Sequence, residues 1–500
     1  MKFFTSKRLK LVLIYLIALI FLFRSDLIEF GKYINQPNSN SYQVVLNNSE
    51  NRLEYCLHDN HDAVRYHRTV IRDIGQRGCV TIEIPEGAVN PITVTEYSTR
   101  LPPMTHFVFW ILFGCLIFLP HKKIVAPLMI LLYLGFSSRW TLLSNVIPTG
   151  TEPDAHSYLS LALTITGPLG TQSREPLFVL WLRPLVLVGN NPEFLNRIAT
   201  ISTSLLVIIA AYSVFYKKFG WKAAFLVGIF LATHPLSQNL SVRGMRDELI
   251  SLLTLILINY LFVSFRNSFA HHLFLGMAAG LLALCRLETL TFSVVLVTIA
   301  IVLHRSNALR ILVLCLPVIM MLTPYLLHNK RLYNDYFYPS TLHATWFRNY
   351  EFLQVKKTGC IGCPTLEEYP KDSAGGKRIS SFQYLFSYHS IPEITNTSVV
   401  GLANLLLLRH NAIVFLGYEN YLIHILYLMG LVYLLVSRKW LYLLLPLILV
   451  NALVFFLGVD GFLDIRILIN ILPFIGLIIY FGIVSIWRTL FWAYSVCWRL

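Results

Sequence analysis

Apolar residues in this chain fall in long runs separated by short polar stretches. Runs of about 15–20 apolar residues recur along most of the sequence, and about 20 helical residues are enough to cross the hydrocarbon core of a bilayer. This pattern predicts an all-α polytopic membrane protein. The first run, "LVLIYLIALIFLF", follows Lys2, Lys7, Arg8 and Lys10 and ends in "FRSDLIEF", with no small-residue cleavage site. It is therefore expected to be an uncleaved first helix with its N-terminus in the cytoplasm.

Basic clusters orient the remaining runs, because Lys and Arg between membrane helices stay on the cytoplasmic side. Helix 1, about 9–23, runs outward; a second helix, about 105–120, returns to "HKK" at 121–123. A third, about 124–145, runs outward, and a fourth, about 195–216, returns to Lys217 and Lys218. Segments 222–265 and 273–303 each begin and end beside basic or histidine residues, so each must cross an even number of times. Outward crossings at about 310–327 and 440–457 alternate with inward ones at about 420–437 and 467–487. About twelve helices satisfy every flank. The predicted organisation is an N-terminal helix (1–23), an extracytoplasmic domain (24–104), a second helix (105–123), a core (124–327) with an outer loop at 146–190, an extracytoplasmic loop region (328–418) and C-terminal helices (419–500).

Segment 273–303 is longer than one crossing of about 20 residues and shorter than two of about 40. It predicts two short helices whose apex, "CRLET", stops below the outer surface and holds Arg286 and Glu288. Charges at that depth are costly and should face a wet cavity; the plainer alternative is a structural Arg286–Glu288 pair. Segment 222–265 has the same character, with the apex "THPLSQNLSVRGMRDE".

The polar region 24–104 alternates in "SYQVVLN", "CVTIEIP" and "ITVTEYST", which predicts a small β-rich insert. On the oxidising side its Cys56 and Cys79 suit a disulfide. The pair "CIGC" at 360–363 lacks the second pair a zinc site needs, so a loop staple is the simpler expectation. Cys115, Cys285, Cys315 and Cys497 fall in or beside helices and read as packing residues.

Composition adds one decision. The chain carries a formal net charge of +15. On a soluble protein this would suggest nucleic acid, but the charge lies in clusters between apolar runs and is accounted for by orientation. No nucleic-acid partner is expected.

With this topology the polar chemistry collects on the outer side. The stretch "GTEPDAHSYLSLA" places Glu152, Asp154 and His156 in the first large outer loop of the core, followed by "SREPLF". "RGMRDE", "CRLET", "HNKR" and "DIR" stand at later outer helix ends. Transport would favour charges strung through the depth of the bundle and symmetric halves; the placement here points to a reaction at the membrane face. A carboxylate can take the proton of an attacking hydroxyl. Arginines stabilise a phosphate that leaves with growing negative charge. No Gly-rich phosphate loop occurs, so a lipid-linked donor is expected rather than a nucleotide.

These residues carry a resemblance. Over about 124–487 the chain resembles the C-type (GT-C) glycosyltransferases, polytopic enzymes that use polyprenyl- or dolichyl-phosphate sugars. "EPDAHSY" is similar to the acidic motif of their first outer loop, and "REPLF" to the Arg-Pro-rich stretch that follows. "SVRGMRDELISLL" resembles their Arg-plus-Asp stretch, "GLLALCRLETL" their "GLA-LTRPE-L" stretch with Leu287 where proline is common, and "DIRILINILPFIGL" their last-helix pattern. Two helices and the β-rich insert precede the point where the family's usual arrangement starts.

The resemblance implies an inverting transferase acting on the extracytoplasmic face. Its donor would be a polyprenyl-phosphate-linked sugar, its acceptor a glycan, lipid or protein, and its surroundings membrane lipids. Asp154 is the expected catalytic base, against the alternative that it caps a helix starting near Ser157. His156, Asp247 and Glu248 are candidates for acceptor or metal binding; for the last two the alternative is complementing a helix dipole. Arg174, Arg243, Arg246, Arg286 and Arg466 are candidate ligands of the donor phosphate. No cofactor is assigned, and a divalent cation is the one candidate that the acidic residues leave open. A polymerase or ligase using a lipid-diphosphate oligosaccharide, or a transporter or flippase, are the competing readings. A bacterial inner membrane with the site facing the periplasm is the expected location.

Overall fold

The computed structural model describes residues 6–35, 104–118, 122–146, 153–171 except 168, 174–291, 307–333, 421–437 and 469–497. It also describes short strands between 39 and 97 and scattered positions between 293 and 399. The expected helix at 440–457, "CIGC" and most of the region 328–418 lie outside the described residues.

The helices are α1 (Ser6–Leu22), α2 (Arg24–Asn35), α3 (Met104–Phe118), α4 (Lys122–Val146), α5 (Pro153–Thr164), α6 (Pro176–Val186), α7 (Pro192–Phe219), α8 (Trp221–Thr233), α9 (Pro235–Ser241), α10 (Asp247–Ile258), α11 (Phe269–Cys285), α12 (Ala308–Tyr333), α13 (Tyr421–Val436) and α14 (Leu472–Cys497). By length and composition, four segments among the described residues are long and apolar enough to cross a membrane: Ile124–Val146, Pro192–Phe219, Ala308–Leu332 and Leu472–Leu490. Shorter apolar helices are Met104–Gly114, Pro176–Val186, Trp221–Thr233, Phe269–Cys285 and Leu422–Val436.

The chain divides into two compact units. The first comprises Met1–Thr164, Trp181–Leu205 and Gln238–Met245. Its core gathers Met104, Trp140, Leu143, Phe194, Ile201 and Val242. Helix α2 joins this core because Leu27 and Phe30 share one helical face; Phe30 packs against Trp140 and Phe194 at ring-centroid distances of 6.2 and 6.1 Å. Asn191 caps α7, its side-chain oxygen accepting the Phe194 N–H at 3.2 Å. Arg139 is fully buried; its Nε donates to Ser204 Oγ and its Nη1 to the Gly135 carbonyl, both at 3.0 Å. Such bonds are what permit a charge inside an apolar bundle.

Among the described residues, six strands lie between α2 and α3: β1 (Ser39–Val44), β2 (Arg52–Cys56), β3 (Ala63–Tyr66), β4 (Thr69–Ile71), β5 (Cys79–Glu83) and β6 (Ile92–Tyr97). They form an antiparallel sheet of order β1-β6-β3-β4 and a separate antiparallel pair β2-β5. Period-two alternation buries Val94 of β6 and Ile82 of β5. The β2-β5 register sets Cys56 opposite Cys79.

The second unit comprises Ile165–Leu180, Leu206–Ser237 and Arg246–Leu500. Its helices approach through glycines. A β-carbon at Gly276 would lie 3.0 Å from the Leu314 carbonyl carbon, and one at Gly280 would lie 2.8 Å from Met321 Sδ, so one face of α11 lies flat on α12. Gly430 and Gly482 do the same between α13 and α14. Lipid tails are as apolar as the helices, so membrane helices associate by such close packing.

Two segments that the flank argument required to turn back are broken. In 222–265, α8 ends at Thr233, α9 is short, and α10 starts at Asp247. In 273–303, α11 ends at Cys285 and Arg286 adopts an extended backbone. The chain then turns through Leu287 and Glu288 before helix resumes.

Candidate active site

In the second unit, three chain breaks converge on one carboxylate. Glu175 immediately precedes α6, whose first residue is Pro176, a position where the missing N–H costs nothing. Its side chain is 1% exposed. One carboxylate oxygen accepts a charged hydrogen bond from Arg246 Nη1. The other accepts the backbone N–H of Leu287 at 3.1 Å. Arg246 Nη1 also donates to the Cys285 carbonyl at 3.2 Å. Arg246 itself is the residue leading into α10.

The turn after α11 is closed locally. Thr289 Oγ1 donates to the Leu282 carbonyl at 2.9 Å and to the Arg286 carbonyl at 2.6 Å. Leu287 anchors the turn by packing with Ala283 and Leu322. Arg286 Nε stands 3.4 Å from a Glu288 carboxylate oxygen. From α12, the Tyr325 hydroxyl donates to the Arg174 carbonyl at 3.2 Å, which ties down the residue before Glu175.

The electrostatic result is a pair of ion pairs at adjoining helix ends. Glu175 and Glu288 are buried, and each is met by an arginine. Removing a charge from water is tolerated only with such compensation. The arginine side chains retain 14% and 12% exposure. Asp247 and Glu248 are also buried, in the first turn of α10, where the helix dipole favours negative charge.

The predicted residues are distributed as follows. Arg246 and Arg286 are brought together, through Glu175 and the Cys285–Leu287 backbone. Arg174 adjoins them in sequence next to Glu175, and Asp247 and Glu248 follow Arg246 in the second unit. Arg243 belongs to the first unit, where its Nε donates to Asn239 Oδ1. Asp154, half-buried, and His156, exposed, also belong to the first unit. The helix bearing them starts at Pro153 rather than near Ser157, so Asp154 stands in its first turn. Proline at the helix start explains the earlier onset, since its fixed φ suits the first helical position. Arg466 lies outside the described residues.

Glu175 and Tyr325 carry roles that sequence patterns did not single out. Glu175 had a signal, as the one acid in "SREPLF" between two apolar stretches. Tyr325 had none, being one aromatic in a long apolar helix. Among the described residues, no three His, Cys, Asp or Glu side chains gather closely enough to hold a metal ion.

No protein-family model matches the chain, and no curated protein matches it significantly. Two solved structures are similar to it. One is the archaeal oligosaccharyltransferase AglB from Archaeoglobus fulgidus, in complex with an inhibitory peptide and a dolichol-phosphate. It is 11% identical, with a TM-score of 0.40, over 76% of this chain and 52% of that chain. The chain thus spans about half the length of that protein. The other is ArnT from Cupriavidus metallidurans in the apo state, 13% identical, with a TM-score of 0.33, over 72% of this chain and 77% of that chain.

Proposed function

We propose that this chain is a GT-C-type integral membrane glycosyltransferase. It would transfer a sugar from a polyprenyl phosphate to an acceptor hydroxyl on the extracytoplasmic face, with inversion. The observation that supports this reading most is the arginine pair, Arg246 and Arg286. Each is held by a buried carboxylate and keeps partial exposure, at helix ends that the basic flanks predict to lie on the outer side. Forked guanidinium donors match phosphate oxygens, and preset donors cost no reorganisation as charge develops.

In the proposed reaction a base takes the proton of the acceptor hydroxyl, the role for which Asp154 is the candidate from sequence. The acceptor oxygen bonds to the anomeric carbon as the bond from that carbon to the phosphate oxygen breaks. The bonding pair leaves on the polyprenyl phosphate, whose added negative charge Arg246 and Arg286 would meet. His156, Asp247 and Glu248 remain candidates for the acceptor or a divalent cation, and Arg174, Arg243 and Arg466 for further phosphate contacts. A bacterial inner membrane, with the site facing the periplasm, is the proposed location.

Purified protein in detergent, given polyprenyl-phosphate-linked sugars and an extract of acceptor glycans, should release free polyprenyl phosphate. Release of polyprenyl diphosphate from a lipid-diphosphate oligosaccharide would instead mark a polymerase or ligase. Lipid-linked sugars that accumulate in a deletion strain, identified by mass spectrometry, would name the donor.

A further inference from the structure

We infer that Glu175 is the positioning residue of the donor-phosphate site, an inference that rests on the reading above. Its carboxylate makes two bonds to parts of the chain that are far apart in sequence. One goes to the Arg246 guanidinium, 71 residues away, and the other to the Leu287 N–H, 112 residues away. Arg246 closes the triangle by donating to the Cys285 carbonyl. A single buried side chain therefore sets the direction of Arg246 and the path of the backbone on both sides of Arg286.

A carboxylate is needed for this task. A buried hydrophobe would pack but take away the charge facing Arg246 and the acceptor of the Leu287 N–H, and a buried unmet donor costs about 1–3 kcal/mol. Aspartate, one methylene shorter, would not reach both partners at once. At 1% exposure Glu175 does not meet a ligand itself. It acts through Arg246, whose side chain is 14% exposed. The turn it fixes carries Arg286, so both arginines keep their geometry when no ligand is present. Preorganisation of this kind lowers the cost of binding rather than adding a contact.

The test uses the full-length protein in detergent, with undecaprenyl phosphate and undecaprenol, the same lipid without phosphate, as probes. Wild-type protein should bind the phosphate in preference to the alcohol. Glu175→Gln keeps the shape and the acceptor for Leu287 N–H but removes the charge facing Arg246. It should weaken undecaprenyl phosphate binding at least tenfold and leave undecaprenol binding unchanged. In an Arg246→Ala background the same change should add less than twofold. Wild-type protein that does not distinguish the two lipids would overturn the phosphate reading and this inference together. Preference in the wild type with normal binding by Glu175→Gln would overturn this inference alone, as would an undiminished effect in the Arg246→Ala background. Should Glu175→Gln fail to insert, Glu175→Asp, which keeps the charge but is one methylene shorter, should weaken phosphate binding at least threefold. Wild-type affinity in that variant also refutes the role.

Discussion

Arg286 Nε lies 3.4 Å from a carboxylate oxygen of Glu288, two residues along, and the Glu288 side chain is 4% exposed. A purely structural pair and a donor ligand predict different outcomes here. Arg286→Ala strands a buried carboxylate, and breaking a buried pair costs about 3–5 kcal/mol, so its thermal midpoint should fall. Adding Glu288→Ala should restore much of that stability. If Arg286 also meets the donor, turnover should stay low in the restored double variant, and Arg286→Lys should recover only part of it, because lysine lacks the fork. Full turnover in a stable double variant refutes the ligand role.

Asp154 occupies the first turn of α5. Asp154→Asn keeps its size, and the lost helix-dipole interaction costs only about 0.3–1 kcal/mol, so insertion and folding should persist. Loss of a general base should slow transfer by about 10²–10⁴-fold. Near-normal transfer, measured as polyprenyl phosphate released, would remove Asp154 from the mechanism and direct attention to Asp247 and Glu248.

The contact between α13 and α14 leaves no room for a side chain at Gly430, where a β-carbon would lie 2.8 Å from the Ile478 carbonyl carbon. Gly430→Ala should force the helices apart at a cost of about 1–3 kcal/mol. Gly31 in α2 is the control, since nothing stands within 4 Å of a β-carbon there. Gly31→Ala should leave the thermal midpoint unchanged or slightly raised, because alanine favours helix over glycine by about 0.5–1 kcal/mol. Equal responses of the two variants in a detergent thermal-shift assay would refute the packing argument.

Gly244 has φ of 77°, and a β-carbon on it would lie 2.9 Å from the Asn196 side-chain carbon. Asn196 Nδ2 donates to the Gly244 carbonyl at 3.4 Å. Gly244→Ala is therefore both strained and crowded, and should lower stability by more than about 1 kcal/mol. A neutral result would mean that the turn before Arg246 relaxes freely.

The alternation of basic clusters predicts that 24–104, 146–190 and 328–418 share one side of the membrane, with both termini opposite. Cysteines introduced at Ser39 and Ser373 should both react with an impermeant maleimide applied from outside. Reaction at one and not the other breaks the alternation of crossings.

The local features of this protein were legible in its sequence, because they depend on residues close together in the chain. Apolar runs mark helices such as α4, α7, α12 and α14, and their lengths follow from the width of a bilayer. The mismatch between segment length and flank charge in 273–303 concerns the region where α11 stops at Cys285. Acids at the start of α10 likewise follow a local dipole rule. Partner choice was decided only by the tertiary structure. That Arg246 meets Glu175 depends on residues 71 apart coming together at helix ends. The bond from Tyr325 to the Arg174 carbonyl joins positions 151 apart, from a stretch of helix whose sequence gives that tyrosine no distinguishing signal. Burial of Glu175 follows from the same convergence: one acid in a short loop is ordinarily solvated, and only the closure of three chain breaks around it makes its two hydrogen bonds necessary.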